Sequence, residues 1–362
     1  MKIKPFAVEE WMNAYEDGAR YNIAETCVDS MSLDELFLLA GEDKQGFLER
    51  FCARRLTYGD IVGSEALREG VCGLYKSLKP DEVIPTHGAA GANYHVFCSL
   101  ISPGDGVVSI MPAYQQLYSI PEAIGADVRL MHLRQENGYL PDLAELKSLV
   151  DENTKLICVN NPNNPTGVVY NEETIRAIAA VLAKKEQEYG HAIYLISDEP
   201  YRELVFDGAS VPWIPNDYKN TIVAYSFSKS LSLPGDRIGY LALRSEVEDF
   251  ENIVAAVAVA TRITGFINAS GLQQLVCARC CDETVDISFY DKNRKRLYDA
   301  LTAYGYEMPK PEGAFYLFVK TPTENDLEFV EKIKEHRILL TPGSGFGCPG
   351  SVSYTHLTLP TT

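Results

Sequence analysis

The sequence contains no long apolar run. Its longest purely apolar stretches, such as Ile253 to Ala260, fall far short of the ~20 residues a helix needs to cross a bilayer, so no transmembrane helix is expected. It is also poor in positive charge: 33 Lys and Arg against 50 Asp and Glu leave a net charge of −17. That field repels phosphate backbones and anionic lipid, which argues against nucleic-acid and membrane-surface roles, although a local basic pocket for one phosphate stays compatible with it. No apolar segment follows Lys2 and Lys4, and Glu9 and Glu10 come at once, so a secretory leader is not expected and a cytoplasmic location is. The six histidines show neither i,i+4 nor zinc-site spacing. No Gly-x-Gly-x-x-Gly follows the first strand pattern, which disfavours a nicotinamide dinucleotide enzyme. Nine cysteines scatter mostly through apolar runs, as Cys98 in Val96 to Leu100 and Cys158 in Leu156 to Val159. They are expected to be reduced and buried rather than part of a metal or redox site, and no metal is expected.

What is present reads as a globular chain, 46% hydrophobic and 23% charged, and 362 residues are too many for one ordinary core. A large domain and a smaller one are expected. Val107 to Ile110, Ala126 to Leu130, Lys155 to Val159, Ala192 to Ile196 and Thr221 to Tyr225 each have the pattern of a short buried strand. Helical periods separate them, such as Glu172 to Lys185, opening near Asn171 and closing toward Gly190. Buried strands alternating with helices give an α/β fold with a mostly parallel sheet and helices on both faces. After about Asp282 the order becomes α+β: a helix over Phe289 to Tyr304, an apolar segment Ala314 to Val319, and a helix over Glu324 to His336.

Ligands of such sheets bind beyond the carboxyl ends of the strands. The residues there are unusual and polar: Asn160-Asn161-Pro162-Asn163-Asn164-Pro165-Thr166-Gly167, Asp198-Glu199-Pro200-Tyr201 and Ser226-Phe227-Ser228-Lys229. Each has an ordinary explanation. Asn, Pro and Gly make turns, an aspartate after a strand can cap a helix, and a lone lysine is usually solvated. Their order along one chain, with Arg237 eight residues after Lys229, favours a shared site.

Taken together, Asn164-Pro165-Thr166-Gly167, then Asp198 and Tyr201, then Ser226 to Gly239 resemble the signature of class I/II aminotransferases, the fold-type I pyridoxal-phosphate enzymes. The resemblance runs to about Gly350. It implies that pyridoxal 5'-phosphate is the cofactor and that Lys229 carries it as a Schiff base. Asp198 would pair with the pyridine nitrogen, and Tyr201 and Asn164 would bond the phenolic oxygen. Ser226, Ser228, Arg237 and the amides of Ala89 and Ala90 would hold the phosphate. Tyr114 would stack on the ring, while Tyr58 would reach the phosphate of a neighbouring subunit in a homodimer. The implied layout is an N-terminal arm and part of the small domain over 1–48, a large cofactor domain over 49–282 and an incomplete small domain over 283–350.

Two departures bear on substrate. The segment Tyr21 to Cys27 replaces a usual substrate-contacting glycine, which carries a faint similarity to enzymes of arginine-derived amino acids such as capreomycidine synthase. No Lys or Arg follows Arg337, so the arginine expected to grip the substrate carboxylate is missing; residues 351–362 are expected to be a non-native tail, with Arg262 as a stand-in for the carboxylate. The implied activity is transamination between an amino acid and a 2-oxo acid. A β-lyase or cyclising β-replacement enzyme would share the same residues, and a non-catalytic cofactor-binding regulator is the alternative of another kind.

Overall fold

The computed structural model describes residues 3–25, 30–58 and 60–355. Thr26 and Cys27 of the early segment, Gly59, and residues 356–362 of the expected tail lie outside the described residues. The strands, in chain order, are β1 (Tyr21–Asn22), β2 (Val83–Thr86), β3 (Gly106–Met111), β4 (Asp127–His132), β5 (Thr154–Asn160), β6 (Tyr194–Asp198), β7 (Thr221–Ser226), β8 (Gly239–Ala242), β9 (Tyr316–Lys320), β10 (Ile338–Leu339), β11 (Thr341–Pro342) and β12 (Ser351–Thr355). The five apolar runs read from the sequence are β3 to β7.

A seven-stranded sheet in the order β2-β8-β7-β6-β5-β3-β4 forms the centre. Its β4, β3, β5, β6 and β7 run parallel, and β8 is antiparallel to both of its neighbours. The inner strands β3, β5, β6 and β7 are apolar almost throughout because both faces are covered; β4, expected from its sequence to be buried, is the edge strand and exposes Asp127, Leu130 and His132. On one face the helices Gly88–Leu100 and Phe250–Ile263 set Val96, Phe97, Ile253 and Val257 against Leu156, Ile196 and Ile222. On the other, Leu143–Leu149 and Glu172–Tyr189 set Leu146, Ile175, Ile178 and Leu182 against Val108, Ile157 and Leu195. The second of these helices starts where Asn171 Oδ1 accepts from the Thr174 amide (2.9 Å) and ends at left-handed Gly190, as its sequence predicts.

Two expectations about layout need correction. Ser351–Thr355, expected to stand outside the fold, is the middle strand of the antiparallel sheet β11-β12-β9, with Val352 and Tyr354 packed among Leu317, Val319, Val330 and Leu340. Alternating Val352 and Tyr354 suffice for a buried strand whatever the origin of the segment. The N-terminal region is also divided. Tyr21–Asn22 pairs in parallel with Ile338–Leu339, whereas Leu36, Phe37 and Phe47 join the core that holds Val223, Tyr225 and Tyr240 of the large sheet.

The cysteines differ as well. All eight described cysteines are free, but Cys52 and Cys98 are exposed: Cys98 lies on the solvent side of a helix whose apolar face is turned inward. Cys277-Ala278-Arg279-Cys280 is a Cys-x-x-Cys pair, both members buried, with thiols pushed up by burial. Among the described residues no group of three or more His, Cys, Asp or Glu is placed to hold a metal. No helix among them is long and apolar enough to cross a membrane.

Candidate active site

The carboxyl ends of five strands of the large sheet converge on one cavity of about 200 Å³, many times the roughly 10–15 Å³ that a single water needs. β2 ends at Thr86, and the chain turns through Gly88 (φ +71°) into the helix whose first turn carries Ala89 and Ala90. β7 ends at Ser226, whose hydroxyl accepts from the Ser228 amide (3.2 Å) and lies 2.7 Å from the Ser228 hydroxyl, closing the single turn that bears Lys229. Arg237, itself at φ +52°, precedes β8 and donates from Nη1 to the Pro234 carbonyl at 2.6 Å. These groups meet at a narrow place. A Cβ on Gly88 would stand 3.1 Å from Arg237 Nη2 and 3.3 Å from Ser226 Oγ, and one on Gly239 only 2.1 Å from the Tyr225 carbonyl. Helix amides, two hydroxyls and a guanidinium around a gap kept open by glycine form an anion cradle.

Asp198 ends β6 and is 4% exposed. Asn93 Nδ2 donates to one carboxylate oxygen (3.1 Å) and Asn160 Nδ2 to the other (3.0 Å). Burial above all pushes the carboxyl up to about 7; the Asn93 hydrogen bond opposes this, the Glu199 charge adds to it and the Asn160 hydrogen bond opposes it. No cation forms an ion pair with Asp198 among the described residues, so a ligand that brings a positive charge into the cavity would stabilise the carboxylate. Asn164 lines the same cavity, and its buried side-chain oxygen has no hydrogen-bond partner. An acceptor left this way is available to a donor on a ligand.

The walls are aromatic. The Tyr114 phenol is pushed up to about 12 by burial first of all, and Phe6 lies 5.3 Å from its ring centre. The hydroxyls of Tyr201 and Tyr316 are 2.7 Å apart, and Lys229 Nζ stands 5.3 Å from the Phe315 ring centre and 6.0 Å from that of Tyr201. A strand of the small sheet thus contributes to a cavity built on the large one.

Ala89, Ala90, Tyr114, Asn164, Asp198, Tyr201, Ser226, Ser228, Lys229 and Arg237 all line this cavity. Tyr58 does not: it is 70% exposed. Arg262, the stand-in for substrate carboxylate binding, is exposed on its helix and is not a lining residue. Lining residues that reading the sequence missed are Asn93, Gln116, Tyr316 and Glu9, while Asn160 stood in the strand-end segment it singled out but had no role assigned. Asn93 had a weak signal, standing one turn beyond Ala89 on the helix that opens at the cradle. Tyr316 had none, because its contact depends on how the small sheet docks.

The cavity offers what pyridoxal phosphate requires: an amine on Lys229, a buried anion for a ring nitrogen, an unpaired amide, aromatic walls and an anion cradle. Comparison with known proteins agrees. The profile of the family described as aminotransferase class I and II matches residues 44–358. An aspartate aminotransferase of Thermotoga maritima is 32% identical over 312 residues, 83% of this chain and 79% of that protein. Among solved structures, a PLP-dependent aminotransferase from Streptococcus suis superposes with a TM-score of 0.88 at 35% identity, covering 99% of this chain and 94% of that one. An aminotransferase from Eubacterium rectale gives 0.88 at 32%, covering 99% and 92%. The chain therefore belongs to the class I and II aminotransferases and is a pyridoxal-phosphate-dependent enzyme of that family.

Proposed function

We propose that Lys229 holds the cofactor covalently and moves the substrate proton in a transamination between an amino acid and a 2-oxo acid. The observation that carries this is the placement of Lys229, buried Asp198 and the cradle of Gly88, Ser226, Ser228 and Arg237 around one cavity. Pyridoxal phosphate, when bound, supplies an electron sink for negative charge at the substrate α-carbon. Asp198 keeps the positive charge on the ring nitrogen that makes the sink effective, and Asn93 and Asn160 hold its two oxygens in place. Tyr201 and Asn164 donate to the phenolic oxygen. Ala89, Ala90, Ser226, Ser228 and Arg237 bind the phosphate, and Tyr114 covers the ring. Lys229 Nζ would hold the cofactor and, when free, would be the base that takes the substrate α-proton and gives it back.

The domains divide, in this reading, into a cofactor-binding unit around the large sheet and a smaller unit around β9, β11 and β12. The protein acts as a homodimer in which Tyr58 reaches the partner's phosphate site. Supporting this are exposed apolar side chains near Tyr58 in sequence (Leu56, Ile61, Val62) and on the helix Phe250–Ile263 and just beyond it (Val259, Ile263, Phe266). A cytoplasmic location is consistent with the free thiols.

The test is chemical. The cofactor-loaded protein should absorb in the visible, and borohydride reduction followed by peptide mapping should find the cofactor on Lys229. An adduct on any other lysine overturns the assignment. A keto acid from the donor is the expected product; ammonia with pyruvate would instead identify a β-lyase.

A further inference from the structure

We propose that Glu9 selects amino donors whose side chain ends in a second cationic group, an amine or a guanidinium. This rests on the transaminase reading and adds to it a substrate class. The N-terminal helix Ala7–Tyr15 is fastened to the cavity rim from both sides. On one side the Ala7 amide donates to Gln115 Oε1 (3.0 Å), Gln115 Nε2 donates to the Pro5 carbonyl (2.8 Å), and Phe6 packs on Tyr114. On the other, Val8 and Met12 are buried with Ala24, Leu339 and Phe346. Between these anchors the chain places Val8 and Glu9 in the cavity lining, facing Tyr114. The Glu9 charge is felt there: after burial it is the next cause raising the Tyr114 phenol.

The charges of the cavity then leave one group over. Its lining cations are Lys229 and Arg237, both assigned to the cofactor, and Asp198 is matched to the ring nitrogen. Glu9 forms no ion pair among the described residues and is exposed where it lines the cavity, so a substrate side chain directed toward solvent on this side would meet its carboxylate. A dicarboxylic donor would bring like charge to Glu9, whereas a basic side chain gains a charge-assisted hydrogen bond. Because Glu9 is exposed and partly screened, the expected effect is on the order of tenfold.

The test compares the holoenzyme with Glu9→Gln and Glu9→Lys on L-lysine, L-ornithine, L-arginine, L-norleucine and L-aspartate. Alongside it, binding of α-methyl-lysine and α-methyl-norleucine, which have no α-proton to lose, is followed through the cofactor's visible band. The wild type should prefer the basic donors over norleucine, Glu9→Gln should lower that ratio about tenfold, and Glu9→Lys should move the preference toward aspartate. A ratio unchanged in Glu9→Gln, or a wild-type preference for aspartate, overturns the proposal. Absence of keto-acid product from every donor would overturn the transaminase reading instead, and the α-methyl pair would still decide whether Glu9 reads the side chain.

Discussion

The side-chain amide of Asn160 donates to both the backbone carbonyl (2.9 Å) and the carboxylate (3.0 Å) of Asp198. Its oxygen accepts from the Asn164 amide at 2.6 Å. One buried side chain thus ties the loop bearing Asn164 to the strand end bearing Asp198, so the groups assigned to the phenolic oxygen and the ring nitrogen are set relative to each other before any ligand arrives.

Replacing Asn160 with Ala should therefore cost more than its own contacts. It leaves the Asn164 amide and one Asp198 oxygen buried without a partner, a penalty of about 1–3 kcal/mol. Cofactor affinity should fall with stability, as measured by denaturant unfolding and by cofactor titration. A variant that loses stability but binds cofactor as tightly as the wild type would show that Asn160 only supports the loop.

Asp198 makes a pH-dependent prediction. Its carboxyl, near 3.8 when unfolded, is pushed up to about 7 by burial in the folded protein freed of cofactor. Between those values the folded state holds more protons than the unfolded one, so this group's contribution is fully present below about 4 and is lost as pH rises through about 7. The loss is on the order of 4 kcal/mol. Unfolding of the cofactor-free protein across this range should show the decline, and Asp198→Asn should flatten it. The same variant, loaded with cofactor, should keep its fold yet turn over orders of magnitude more slowly, because the lost charge acts mainly in the transition state. Wild-type turnover would reduce Asp198 to a structural role.

Why much of this was legible in the sequence, and part was not, has a physical basis. The strands β3, β5, β6 and β7 are buried on both faces, and their composition says so, whereas β4, also read as buried, is the sheet's edge with only Met131 fully covered; the polar residues just beyond the buried strands lie in the cavity. Asp198 could be found because a carboxylate after so apolar a strand is expensive to bury without a function, whereas Lys229 and Arg237, half-buried and exposed, were found through their fixed order after a strand end. Asn93, Gln116 and Tyr316 are cheaper to bury: amides and tyrosines satisfy themselves in many cores, and their convergence depends on packing between distant elements. Ser351–Thr355 misled for the opposite reason. The segment ends the family-like pattern and carries no arginine, yet five residues are enough to form the middle strand that joins β11 to β9.

Tyr201 touches both sheets. Its hydroxyl meets that of Tyr316 at 2.7 Å, and both rings are buried. If Tyr201 donates to the phenolic oxygen, it favours the ionised oxygen and so lowers the pH midpoint of the cofactor's visible band. Tyr201→Phe should raise that midpoint and reduce kcat, with little change in unfolding stability beyond about 1 kcal/mol. A spectral titration settles it, and an unmoved midpoint would remove Tyr201 from the cofactor's contacts.

Behind the lysine turn, the Tyr225 hydroxyl donates to Glu203 Oε2 at 2.7 Å and lies 2.7 Å from Ser230 Oγ, next to Lys229 in the chain. Burial raises the Glu203 carboxyl, and the Tyr225 hydrogen bond is the first influence opposing that rise. Tyr225→Phe removes the opposition, so Glu203 is raised further and its charged form becomes harder to keep buried. A carboxyl raised in the folded state loses its contribution as pH increases. The variant should accordingly be destabilised by about 1–3 kcal/mol at pH 8 and by less at pH 5. Because Ser230 loses the same partner, the turn holding Lys229 should loosen and cofactor dissociation should accelerate. Unfolding curves at the two pH values, with the rate of cofactor loss to a trapping amine, measure both effects. A destabilisation independent of pH would mean that Glu203 stays neutral throughout, and that the hydroxyl matters only to the serine.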